Sequence, residues 1–350
     1  MTAFTRVARF PGLRALAWAG DILYASRDYE VLRATITAAE LPSDNLPWEK
    51  VASFHPPAWR TWTTRTNLTS RLVRDGFHAL AVLPSGAMVG AVPGAIVTLR
   101  PKKYRFEVGH KVTRGTRPLH ITSIPNGTVF WGEYFDNPSR DEVHIYASTD
   151  EGSTWNVAYT FPRRAVRHVH NIVHDAWGNC LWVLTGDYGD ECRIIRASYD
   201  FRDIDIVAKG NQQTRAVACV PTESGLYFSS DTPTEANAVY HLDRNAKLSQ
   251  LARLTSSSIY GCRVRDHIFF STMVEPSSEN PDQYVRIFGA RNGQDWQSLL
   301  AWKKDRWPMR FFQYGNASLP DGVNSTPYLA LTTIAVESED RTTSLYAVQS

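Results

Sequence analysis

Pro125-Asn126-Gly127 leading into Val129 to Tyr134, and Trp177-Gly178-Asn179 leading into Leu181 to Asp187, match position by position. Each pairs a turn rich in Gly and Asn with a short run of apolar and aromatic side chains that closes on a carboxylate, Glu133 or Asp187. Such a unit reads as the inner hairpin of a β-sheet, because Gly and Asn accept turn geometry while Val, Leu, Phe and Trp favour extended backbone.

Working outward, similar strand groups recur about every 40–45 residues, the spacing of four-stranded propeller blades, and convincing helical periodicity is almost absent. The first blade runs from Leu13 through Asp21 to Ser26 and Val31 to Ile36, ending near Trp48 to Phe54. The following blades span Phe77 to Val112, Leu119 to Phe161, Val166 to Ala208, Ala216 to Leu254 and Ile259 to Trp302. A seventh begins near Phe311 and continues through Tyr328 to Val336 and Thr343 to Val348, three good strands only. The run Phe4 to Phe10 has no other partner, so it is expected to supply the missing outer strand and remove an open sheet edge. The predicted fold is therefore all-β: a seven-bladed β-propeller of four-stranded antiparallel blades, one domain over 1–350, its ring closed by an N-terminal strand. Residues 56–75 fit no blade. Their Trp59, Trp62, Arg60, Arg65, Arg71 and Arg74 read as an inter-blade connection with its aromatics packed down, or as a lid over one face.

Composition supports a chain folded throughout, with 43% hydrophobic and 12% aromatic residues. A formal charge of +3 lacks the concentrated positive field of a nucleic-acid binder, so DNA and RNA are not expected partners. No apolar stretch approaches the roughly 20 residues of a membrane helix. Met1 to Gly20 contains Arg6, Arg9 and Arg14 and no signal-peptide core, which makes a soluble, cytoplasmic protein the expectation. Cys180, Cys192, Cys219 and Cys262 show no CxxC spacing and read as buried thiols, with a Cys180–Cys192 bridge as the alternative.

Ser148-Thr149-Asp150-Glu151-Gly152-Ser153-Thr154-Trp155 satisfies the pattern S-x-D-x-G-x-T-W directly after the strand Val143 to Ala147. Weaker copies fall at Ala197 to Phe201 and Ala290 to Trp296. On these residues the chain resembles the Asp-box (BNR repeat) β-propellers of the sialidase-like superfamily. The resemblance implies a ring whose Asp boxes are structural and lie away from the active face, so Asp150 and Trp155 receive no catalytic role. Sialidases also carry a characteristic F/Y-R-I-P start, of which Arg9-Phe10-Pro11 is a poor match.

In each blade the innermost strand starts, and the second strand ends, at the same channel mouth. Second-strand ends place Arg27-Asp28-Tyr29, Glu133-Tyr134, Asp187-Tyr188, Asp231 and Glu275-Pro276 there, and innermost-strand starts add Arg117, His120, Arg167, His168, His170 and Arg215. On a regular strand His168, His170 and His174 share one face. His168 and His170 could then chelate a divalent cation, with Glu133 or Asp187 supplying oxygen, and no other cofactor is suggested.

The function expected from this mouth is action on, or binding of, an acidic, uronate-containing oligosaccharide or polysaccharide, by an architecture similar to that of propeller polysaccharide lyases. In a lyase, Arg167, Arg117 or Arg215 would neutralise the uronate carboxylate, His168 or His170 would remove the adjacent proton, and Tyr134 or Tyr188 would protonate the leaving oxygen. Arg117, His120, Glu133, Asp187, Arg215, Asp231 and Glu275 would bind substrate. The alternatives are a non-catalytic glycan- or protein-binding propeller, with Trp131, Trp59 or Tyr260 as stacking platforms, and a sialidase-like glycoside hydrolase using Glu133 and Asp187. Oligomeric state is not set by the sequence.

Overall fold

The computed structural model describes residues 4–37, 41–63, 66–275, 277–309 and 311–349. Arg65 and Pro276, both named above, lie outside the described residues. Seven sheets follow one another around a central channel, and the innermost strands of the first six contact one another in succession. Blade 1 comprises Arg14–Gly20, Ile22–Arg27, Glu30–Thr35 and Glu49–Ser53, with Asp321–Asn324 added in parallel along its channel side. Blades 3, 4 and 5 supply most of the mouth. Their innermost strands are Thr122–Ser123, Val169–Asp175 and Ala216–Thr222, paired with Val129–Gly132, Cys180–Thr185 and Gly225–Ser230. Blade 7 contributes Asn316–Ser318, Tyr328–Ile334 and Thr342–Ala347, and Thr5–Pro11 completes it as the outer strand, as the N-terminal pattern predicts.

The alternating apolar side chains of neighbouring blades face one another and form the core. Ile124, Phe130 and Ile145 of blade 3, for example, meet Val169, Ile172 and Leu181 of blade 4. Blades approach most closely where a side chain is missing: a Cβ on Gly132 would stand 2.4 Å from Val169 Cγ1. Burial of this kind contributes roughly 1.5–3 kcal/mol per large apolar side chain. Cys180, Cys192, Cys219 and Cys262 are all free thiols, so no Cys180–Cys192 bridge forms. Among the described residues no helix is long and apolar enough to cross a membrane.

The Ser148–Trp155 turn has the bonding its pattern predicts. Asp150 accepts from Thr154 N (2.8 Å) and Thr154 Oγ1 (2.7 Å), Ser148 Oγ accepts from Gly152 N (2.7 Å), and Trp155 Nε1 donates to Gly152 O (3.2 Å). The 290–296 copy repeats the last bond, from Trp296 Nε1 to Gly293 O (3.1 Å). Both turns join third to fourth strands, at the end of the blade opposite the mouth.

Residues 56–75 form two short helices, Ala58–Thr63 and Asn67–Val73. Thr66 caps the second, and Arg74 ends it in the left-handed conformation. The aromatics are not packed down: Trp59 is 55% and Trp62 68% exposed. Instead the segment is anchored through its polar groups. Asp75 accepts from Arg60 Nη1 (2.7 Å) and the Tyr29 hydroxyl (2.8 Å), while buried Arg71 reaches across to Asp305 (2.7 Å) beyond blade 6.

Candidate functional site at the channel mouth

The innermost strand of blade 4 carries a β-bulge: Val169 pairs with Thr185, Asn171 with Leu184, and His170 is the extra residue. A bulge re-aims side chains and reverses the alternation beyond it. His174 therefore does not join the other two histidines, as strict alternation had it, but turns away and meets the Tyr199 hydroxyl at 2.8 Å. His168 and His170 converge, with their Nε2 atoms 3.0 Å apart.

Asp187 reaches the same point from the neighbouring strand end. Gly186, at φ +86°, makes a turn so tight that a Cβ would stand 1.8 Å from Glu191 O, and the next residue projects into the mouth. Asp187 Oδ1 lies 3.4 Å from both His168 Nε2 and His170 Nε2, and Oδ2 lies 3.1 Å from Arg167 Nη1. Arg215 Nη2 stands between Asp187 (3.4 Å) and Asp231 (3.7 Å), and its guanidinium lies 5.7 Å from the centroid of the half-exposed Tyr188 ring. The Tyr134 ring covers His168 at 4.4 Å between centroids. Arg167 also pairs with Asp136.

Burial drives the electrostatics here. It pushes His170 down to about 4, against the pull of Asp187, so the ring is neutral at pH 7. Burial also opposes ionisation of Asp187, yet the close approach of the His168 and His170 imidazoles outweighs this and holds it well below the usual carboxylate range. Asp231 moves the other way, up to about 7, because burial and the nearby Glu275 and Asp187 charges exceed the help of Arg215. Tyr134 is raised to about 12 by burial and by Asp231 and Asp187.

Other expected site residues lie elsewhere. Glu133 does not face the imidazoles: it takes Arg114 in a two-pronged ion pair and accepts from His144 N (2.8 Å). His120 Nδ1 meets Asp321 (3.1 Å) inside the channel, a cavity of about 540 Å³, with the Tyr260 edge beside it. Glu275 acts on the group through its charge, felt by Arg215 and Asp231. Trp131 is 2% exposed and stacks on Tyr146 at 4.4 Å, so it offers no platform to a ligand.

Arg117 belongs to a second group, with Arg14, Arg74 and His78, which the sequence pattern did not bring together. Its Nη1 donates to Arg74 O (3.3 Å), and nearby Arg14 Nη2 lies 3.4 Å from His78 Nδ1. Among the described residues, Arg14, Arg74 and Arg117 have no carboxylate within ion-pair distance, and Arg14 Nε is buried without a hydrogen-bond partner. Burial first, then Arg14 and Arg74, lowers Arg117 to about 10; burial, followed by Arg117 and Arg14, holds His78 well below its ordinary value. The signal was present in the sequence, since Arg14 and His78 stand at the innermost-strand starts of blades 1 and 2, the positions filled by Arg167, His168 and Arg215 in blades 4 and 5.

These features define the class: a seven-bladed propeller with two charged clusters at one channel mouth. Solved structures agree on the fold. The chain is similar to a chain in a crystal structure of the mitotic checkpoint complex, with a TM-score of 0.59 and 9% identity over 99% of this chain and 95% of that one. It is also similar to the WD40 propeller domain of Doa1, at 0.57 and 11% over 100% and 98%. The propeller domain of Myceliophteria thermophila Cps50 (Swd1) gives 0.56 and 13% over 99% of each chain. Such identities establish a shared propeller fold and nothing finer, and an Asp-box, sialidase-like identity is not shown. No family model matches the sequence, and no curated protein matches it.

Proposed function

We propose that this chain is a non-catalytic binding propeller that seats an acidic segment of a partner protein at the channel mouth. The observation that carries the reading is the group Arg14, Arg74 and Arg117 around His78, which holds three guanidiniums together with, among the described residues, no carboxylate within ion-pair distance of them. Gathering like charges at a half-buried site is unfavourable, and an anionic ligand relieves both the repulsion and the unmet hydrogen bond of Arg14 Nε. Exposed Trp59, Trp62 and Leu72 on the adjoining helices provide apolar contact beside this charge, as a peptide of mixed acidic and apolar character requires. A sugar would find a poorer platform, since Arg60 lies 4.3 Å over one face of Trp59.

Elimination chemistry fits less well. A lyase base must present a lone pair to substrate. His168 and His170, 5% and 3% exposed, direct Nδ1 at the carbonyls of Phe135 and Ala216 and Nε2 at each other and at Asp187.

The test is fluorescence anisotropy with a labelled Asp- and Glu-rich peptide containing Leu and Phe. Each charge-assisted contact is worth about 1.5–3 kcal/mol, so Arg117→Ala should weaken binding roughly 10- to 100-fold, and added salt should weaken wild-type binding too. Equal affinity in Arg14→Ala, Arg117→Ala and wild type would refute the assignment. So would unsaturated product, absorbing near ~230 nm, from uronate oligosaccharides, which would restore the lyase.

A further inference from the structure

We infer that His168, His170 and Asp187 form a binding site for one divalent first-row transition cation, independent of the anionic-ligand site. Each imidazole directs Nδ1 at a backbone carbonyl, His168 at Phe135 O (3.1 Å) and His170 at Ala216 O (2.9 Å). A carbonyl oxygen only accepts, so both Nδ1 atoms carry the hydrogen, and in the tautomer this fixes each Nε2 is the nitrogen that presents a lone pair. Those lone pairs face each other at 3.0 Å and share a carboxylate oxygen at 3.4 Å from each. Three acceptors pointing at one another repel unless something positive lies between them. One proton can bridge a single pair of the three; a metal ion binds all of them.

The distances suit a metal. Bonds of about 2.0–2.1 Å to nitrogen and oxygen in a tetrahedral site set neighbouring donors about 3.3 Å apart, close to the 3.0, 3.4 and 3.4 Å found. The supporting bonds are also those metal sites use: carbonyls fix the tautomer and orientation of each histidine, and Arg167 steadies the far oxygen of the carboxylate. Asp136 and Asp231 share the charge of Arg167 and Arg215, so the two guanidiniums that also approach Asp187 do not rest on that carboxylate alone. Two imidazoles and a carboxylate favour Zn²⁺, Co²⁺ or Fe²⁺ over Ca²⁺ or Mg²⁺. The three ligands occupy one side of the ion, and the His168 ring lies against Tyr134.

The test is Co²⁺ added to the chelator-treated, full-length protein, read by visible absorption and thermal unfolding. The expected result is a ligand-field spectrum saturating at about one ion per chain, a higher unfolding temperature with metal, and displacement by Zn²⁺. His170→Ala should weaken Co²⁺ binding at least about 100-fold; Asp187→Asn, which keeps the size of the side chain, should do the same if the histidine variant does not fold. Folded wild-type protein with neither spectrum nor thermal shift in excess Co²⁺ would overturn the assignment, as would an unchanged spectrum in a folded His168→Ala/His170→Ala variant. Peptide binding by Arg14 and Arg117 is read separately, so failure of one site does not decide the other.

Discussion

Deleting residues 1–11 is expected to abolish cooperative unfolding of the whole ring, not merely to fray one edge. Thr5–Pro11 pairs with Thr342–Ala347, so its loss exposes the unpaired backbone of the last strand in blade 7. Its side chains also join blades. Ala8 and Phe10 are 2% and 4% exposed, Phe10 sits edge-on to Trp48 at 5.3 Å, and Phe4 contacts both Phe269 of blade 6 (5.7 Å) and Tyr346 of blade 7 (5.6 Å). Arg6 adds an ion pair to Glu339, and Arg9 N donates to Asp44 (2.7 Å). At about 1.5–3 kcal/mol per buried large side chain, plus the lost strand hydrogen bonds, the deletion removes much of a typical stability of about 5–15 kcal/mol. Circular dichroism melting and size-exclusion chromatography check this. A deletion variant that elutes as a compact monomer with an undiminished transition would show that the closing strand is dispensable.

Asp175→Ala should cost about 3–5 kcal/mol, the penalty of breaking one side of a buried ion pair. Asp175 is fully buried at the end of the innermost strand of blade 4. Oδ1 accepts from Trp177 N (3.0 Å) and Gly178 N (2.9 Å), Oδ2 accepts from Trp182 Nε1 (2.9 Å), and the carboxylate holds Arg244 of blade 5. Alanine would leave these donors unmet and cut a tie between two blades. The pH dependence has a definite sign. Burial opposes ionisation, but Arg244, Gly178 and Trp182 together hold the folded-state value below the ordinary 3.8. The stabilisation is therefore complete above 3.8 and is lost as the pH falls through the folded-state value. Urea unfolding should show the full difference between variant and wild type at neutral pH, narrowing in acid. A difference that widened in acid would reverse the assigned role.

Much of the fold was legible because strand pairing depends on local features. Turn residues such as Asn126-Gly127, the apolar runs after them and the bonding residues Ser148, Asp150 and Thr154 act within a few positions of one another. Even ring closure followed from counting strands, since blade 7 was one short. The mouth was legible as a set of residue types and only partly as contacts. Arg167, His168, His170, Asp187, Arg215, Asp231 and Tyr134 do come together. Glu133 matched Asp187 in the repeat, yet it pairs with Arg114, a residue from the connection between blades 2 and 3 that no blade alignment placed.

The sequence by itself determined that this chain builds seven sheets and which face of each blade carries charge, because strand and turn preferences are set by neighbours along the chain. Only the tertiary structure decided which charges meet. A single bulged residue separated His174 from its two neighbours, and burial between blades lowered His170 and raised Asp231 while the facing imidazoles kept Asp187 low. Such contacts depend on distances between strands remote in sequence, and on how much water those strands exclude.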